Sequence, residues 1–158
     1  MSDLKLVYAI REALGFNHLY PLSHLDSDAK QMRQDQGRDF QGKPGTPVVA
    51  IGLARVDYVK DDPGGFGKVV YYTLLSGPLR GQQIYVGHAA PNVTAGQIVK
   101  AGQPVAILQQ KSGGNAASLV GWTEIGFAKN GTPDGAASNR FNKFLKTLGD
   151  STWKGPVD

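Results

Sequence analysis

Four acidic or imidazole side chains in this 158-residue chain stand at spacings that could do chemistry. Asp35-Gln-Gly-Arg-Asp39 sets two carboxylates around a glycine, Gly87-His88 closes a β-rich stretch, and Trp122-Thr-Glu124 opens another. Carboxylates and imidazoles that converge on one point are the ligand chemistry of a divalent cation, and a catalytic zinc needs three such ligands with a fourth position open. Asp35 and Asp39 alone would suit a harder cation, Ca²⁺ or Mg²⁺, which prefers oxygen ligands. The plainer reading of that pair is two solvated surface carboxylates. Glu124 qualifies as a general base if it faces the same groove as the others, and as a cross-strand packing partner if it does not.

Short strands must hold these residues. Twenty-one glycines and nine prolines imply many turns. Val48–Val59, with a bend at Gly52, Lys68–Leu75, Gln82–Gly87, Val105–Gln109 and Trp122–Ala128 read as strands, and this spacing predicts an antiparallel β domain. Residues 60–65 read as a turn. Leu6, Ile10, Ala13 and Leu14 share one face of a predicted N-terminal helix, and Phe141, Phe144, Leu145 and Leu148 one face of a C-terminal helix over 134–148. The chain divides into a lead-in over 1–32, a β domain over 33–128, and a helix and tail over 129–158. With no cysteine, disulfides and thiolate metal sites are excluded. The net charge of +4 and pI near 9.3 come from scattered Lys and Arg, so no nucleic-acid partner is expected. The first apolar run is broken at Arg11 and Glu12. It is too short for a signal sequence or a membrane span, so neither membrane insertion nor self-secretion is expected.

Val93-Thr-Ala-Gly-Gln-Ile-Val-Lys-Ala-Gly-Gln-Pro-Val-Ala-Ile107 holds two Gly-Gln turns with apolar residues between them, predicted as a tight strand-turn-strand. The stretch resembles lysostaphin/LytM-type zinc endopeptidases and also lipoyl-type domains. A lipoyl domain would present its lysine in a Met-Lys or Asp-Lys pair, and the chain has neither. Gln36-Gly-Arg-Asp-Phe40 with Pro44-Gly-Thr-Pro-Val-Val-Ala50 resembles the peptidase opening "H.G.D … GTPV.A". Ile84-Tyr-Val-Gly-His88 resembles its "Y.H" strand, and Trp122-Thr-Glu-Ile-Gly126 its closing "HLHFEI". The order holds from about residue 33 to 128. The resemblance implies a mainly β, antiparallel groove or sandwich of the lysostaphin-like, duplicated hybrid motif type, flanked here by the two predicted helices.

In that family the metal is held by the His and Asp of H-x-G-x-D and the second His of H-x-H. Carried over, these fall on Asp35, Asp39 and Trp122, while the first His of H-x-H, a catalytic group, falls on Val120. The histidine of the Y-x-H strand is matched by His88. Indole offers no lone pair to a metal, so Trp122 cannot ligate zinc. The expectation is a vestigial site with no cofactor, in which Trp122, Tyr85 and Glu124 line the groove and the indole fills the metal position. The alternative is an active zinc endopeptidase with an altered set such as His24, Asp39 and His88. The implied partners are other subunits of an assembly, a phage tail tip or baseplate being the concrete case, and peptidoglycan. The implied location is a virion or the cell surface.

Overall fold

The computed structural model describes residues 37–63, 65–77, 79–110, 121–137, 140–141 and 143–144, with no side-chain detail for Asp39, Gln41, Gln110 and Trp122. Among these residues the strands are β1 (Arg38–Gly42), β2 (Pro47–Val49), β3 (Ala54–Asp62), β4 (Gly67–Leu74), β5 (Gln83–Gly87), β6 (Ala90–Pro91), β7 (Ile98–Val99), β8 (Pro104–Ile107), β9 (Gln109–Gln110), β10 (Gly121–Lys129) and β11 (Thr132–Pro133). The larger sheet runs β1-β10-β5-β4-β3-β7, with β9 and β11 also on β10; the smaller runs β2-β8-β6. The strand pairings are antiparallel.

The two-residue period of a strand sorts the larger sheet into two faces. Phe40, Ile125, Phe127, Ile84, Val86, Val70, Tyr72 and Val56 point into the main core, where they meet Val48, Val105 and Leu108 from the smaller sheet and its margin. Tyr72 is fully buried there and accepts the Ile51 N–H at 3.2 Å. Burial pushes its phenol well above the ordinary tyrosine range, an effect the Ile51 N–H partly offsets. The opposite face carries Val69, Tyr71, Tyr85 and Ala128, a second and smaller apolar cluster.

Two strand predictions are corrected by this arrangement. Val48–Val59 is not one strand: β2 and β3 lie in different sheets, and the chain turns the corner between them at Gly52, where Leu74 Cδ2 leaves only 3.0 Å for a Cβ. The Gly-Gln stretch is not a strand-turn-strand pair either, because β7 joins β3 while β8 joins β2 and β6. The turns themselves are as the residues predict and are built alike. Gly96 and Gly102 take φ of 90° and 83°, and the Gln97 and Gln103 side chains accept the N–H of Thr94 and Lys100. Each glycine N–H then donates to a core strand or its margin, Gly96 to Val56 and Gly102 to Ala50.

The predicted turn over 60–65 begins later, since β3 runs to Asp62. The predicted N-terminal helix lies outside the described residues. At the other end, Gly135–Ala137 form a 3-10 turn where the α-helix was predicted to start. Arg140, Phe141, Lys143 and Phe144 have helical backbone, and the remaining positions of that prediction lie outside the described residues. Phe141 is fully buried, 5.2 Å from the Phe127 ring, and Phe144 stands 6.2 Å from it. No helix among the described residues is long and apolar enough to cross a membrane.

Candidate functional site

Three strands distant in sequence bring two of the singled-out residues, Asp39 and Glu124, into one row with Gly87. Asp39 on β1 is registered against Glu124 on β10, and Glu124 against Gly87 on β5. Trp122 stands two residues before Glu124 on β10, registered against Gln41 and Gln109. The next row on the same face is Gly126, Tyr85, Tyr71 and Tyr58. Beyond it come Ala128, Gln83, Thr73 and Arg55, polar in all but the first. Asp35 and Val120 lie outside the described residues.

Tyr85 organises the centre of this face. It is fully buried, and its hydroxyl donates to Glu124 Oε2 at 2.6 Å. The ring fits a slot between two glycines. A Cβ at Gly126 would stand 2.7 Å from Tyr85 Cε1 and 2.9 Å from the Gly37 Cα. At Gly37 a Cβ would fall on the Tyr85 hydroxyl and 2.5 Å from the Ile125 carbonyl oxygen. Only glycine allows that approach. The glycine within Asp35-Gln-Gly-Arg-Asp39 therefore has a packing role, and so does the one that ends Trp122-Thr-Glu-Ile-Gly126. Glu124 is only 3% exposed, so neither it nor Tyr85 is offered to solvent.

His88 follows the end of β5, in the left-handed region at φ 66°. Tyr85 and His88 are three residues apart. The strand residue that shares Tyr85's face is thus Gly87. Above Gly87 lies Phe66, from the turn between β3 and β4, close enough that a Cβ on Gly87 would be 2.5 Å from its Cδ1. The Phe66 ring also meets Tyr85 at 5.6 Å and His88 at 5.1 Å between centroids. Its backbone is tied down on both sides: Asp62 Oδ2 accepts the Phe66 N–H at 3.1 Å, and the Phe66 carbonyl accepts the His88 N–H at 3.1 Å. Phe66 thus covers Gly87, at the β5 end of that row.

Residues 33–130 match Peptidase family M23. The chain belongs to that family. Lysostaphin, in its NMR solution structure, is 25% identical with a TM-score of 0.52, the match covering 77% of this chain and 47% of that one. The antimicrobial peptidase lysostaphin from Staphylococcus simulans shares the fold at 21% identity and a TM-score of 0.55, over 85% of this chain and 58% of its own. This chain therefore spans about half the length of the lysostaphin chains it matches, 47% and 58%. No curated protein matches it.

An M23 domain implies zinc. Among the described residues, no three His, Cys, Asp or Glu side chains come together as a ligand group. Glu124, the carboxylate described on this row, is buried and engaged by Tyr85. Those described residues offer no three-ligand set for the ion, and no step through one is drawn.

Two contributors escape a reading of the sequence. Phe66 sits in a Pro-Gly-Gly-Phe turn, where an apolar residue in a glycine-rich loop is visible but its landing place is not. Asp57, the extra residue where the β3–β4 register shifts, binds Thr73 Oγ1, Gln83 Nε2 at 2.9 Å and Arg55 Nε at 3.1 Å. A bulge of that kind has no signature in a single sequence.

Proposed function

We propose that this M23 domain is a non-catalytic relative of the peptidoglycan endopeptidases, acting as a structural or wall-contacting component. The observation that carries the reading is the register of β10. Glu124 lies opposite both Asp39 and Gly87, so the glutamate of the closing motif is anchored against the aspartate of the opening one. Two residues back, where the family places a histidine ligand, this chain has Trp122. Indole supplies only an N–H donor. With Asp35 and Val120 at the other histidine positions, the ligand set and the group that would polarise a scissile carbonyl are both missing. The Phe66 ring over Gly87 supports the same reading, because it occupies space above the β5 end of that row. The proposed setting is an assembly that meets the wall from outside, a phage tail tip or baseplate; that part rests on the sequence reading alone.

Metal analysis of the purified chain with a turbidity assay on isolated walls tests this. The expected result is zinc far below one per chain and no clearing. Stoichiometric zinc with chelator-sensitive clearing would overturn the proposal in favour of an altered ligand set that includes Asp39 and His88.

A further inference from the structure

A polar pocket of about 340 Å³ opens at the other end of this sheet face, away from the Asp39–Glu124–Gly87 row. Thr73 and Gln83 form its floor, while Lys129, Asn130, Asp134 and Arg140 stand around it. The floor is fixed by its own hydrogen bonds. Thr73 Oγ1 and Gln83 Nε2 both donate to Asp57 Oδ2. Gln83 Oε1 accepts the Gly131 N–H at 2.7 Å, and Lys60 Nζ donates to the Gly131 carbonyl at 3.0 Å. The Asn130-Gly131 turn, at φ of 52° and 73°, is thereby held at both backbone groups of Gly131.

The ion pairs among the described residues are Arg55–Asp57 and Lys68–Asp61, so Lys129, Asp134 and Arg140 join none. The Arg140 guanidinium lies 5.4 Å from the centroid of Phe127, which Phe141 and Phe144 pack in turn. Attraction of a cation to an aromatic face at that distance helps hold the guanidinium beside the pocket. A rigid amide floor beneath two cations and one carboxylate, none in an ion pair with another, is complementary to a ligand that carries both signs. At about 340 Å³ the pocket is at the small end of ligand sites, which limits the occupant to one or two residues.

We propose that this pocket binds the zwitterionic form of a short peptide, with the carboxylate on Arg140 and Lys129 and the ammonium on Asp134. Its connection to wall peptides rests on the wall-contacting reading above; the binding chemistry does not.

The test is titration of the isotope-labelled full chain with alanylalanine, N-acetyl-alanylalanine and alanylalanine amide, followed through the backbone amides of Gln83, Asn130 and Asp134. Alanylalanine is expected to give saturable shifts. Arg140→Gln should weaken it about tenfold, the scale of one charge-assisted hydrogen-bond pair. Asp134→Asn should weaken it similarly while leaving the N-acetyl form unaffected. Both side chains lie on the rim, and an unchanged spectrum for the β4 and β5 amides would show that each variant folds. Equal binding of the capped forms, indifference to both substitutions, or no saturable shift would overturn the proposal. Dipeptide binding without retention on purified walls would uphold the pocket and count against wall contact. Wall retention without dipeptide binding would do the reverse.

Discussion

Replacing Gly37 by alanine isolates what the glycine of the opening motif is for. The new methyl would fall on the Tyr85 hydroxyl, 2.5 Å from the Ile125 carbonyl oxygen and 2.9 Å from its carbon. Optimal contacts between heavy atoms lie nearer 3.5–4.0 Å, so all three are deeply repulsive. Two of the three belong to the backbone of β10, which is clamped between β1 and β5 and cannot retreat without breaking a ladder. Overpacking usually costs about 1–3 kcal/mol, and a wall of backbone puts this case at the upper end. Reduced freedom of the unfolded chain returns about 0.4–1 kcal/mol. The net is a destabilisation of about 2 kcal/mol, or a Tm lower by about 8–16 °C for a domain of roughly 100 residues. Urea and thermal unfolding of Gly37→Ala, Tyr85→Phe and the double variant would measure it. Removing the phenolic oxygen should make the alanine less costly, with a coupling of about 1 kcal/mol between the sites. Gly45→Ala is the control: nothing lies within 4 Å of its Cβ position, so only its φ of 92° resists, and it should be additive with Tyr85→Phe. Stability within about 0.5 kcal/mol of the parent, or strict additivity of Gly37→Ala with Tyr85→Phe, would refute the slot, since ordinary surface changes fall in that range.

Other perturbations separate the remaining contacts. Gly87→Ala should cost about 1–2 kcal/mol, because the obstacle is the Phe66 ring on a turn rather than backbone. The penalty should vanish in a Phe66→Ala background by urea unfolding; persistence there would place the strain elsewhere. Alkaline pH should destabilise the fold through Tyr72. Its folded pKa is raised above the unfolded value of about 10, so the neutral phenol's contribution is whole below pH 10 and declines above it, by at most about 1.4 kcal/mol per pH unit. Tyr72→Phe should flatten that decline between pH 10 and 11, at the expense of the Ile51 N–H acceptor at every pH. An unchanged slope would exclude Tyr72 as the titrating group.

The sequence alone carried the local punctuation of this protein and the order of its motifs. A glycine followed by glutamine, twice, is legible as a turn because φ > 0 and a side-chain acceptor three residues on are local properties. The strand character of Lys68–Leu75 and Gln82–Gly87 is equally local. What the tertiary structure decided is which residues meet. Asp39, Glu124 and Gly87 form a row only because β10 inserts between β1 and β5, and no spacing along the chain encodes that insertion. The same sheet order shows Gly37 and Gly126 as the walls of the Tyr85 slot and carries Phe66 over Gly87. It also placed β7 and β8 in separate sheets, although both flank one short turn. A turn is settled by the torsions of four residues, whereas a sheet row is settled by hydrogen bonds between strands dozens of residues apart. That is why the motif could be read from the chain, and why the packing that explains its glycines could not.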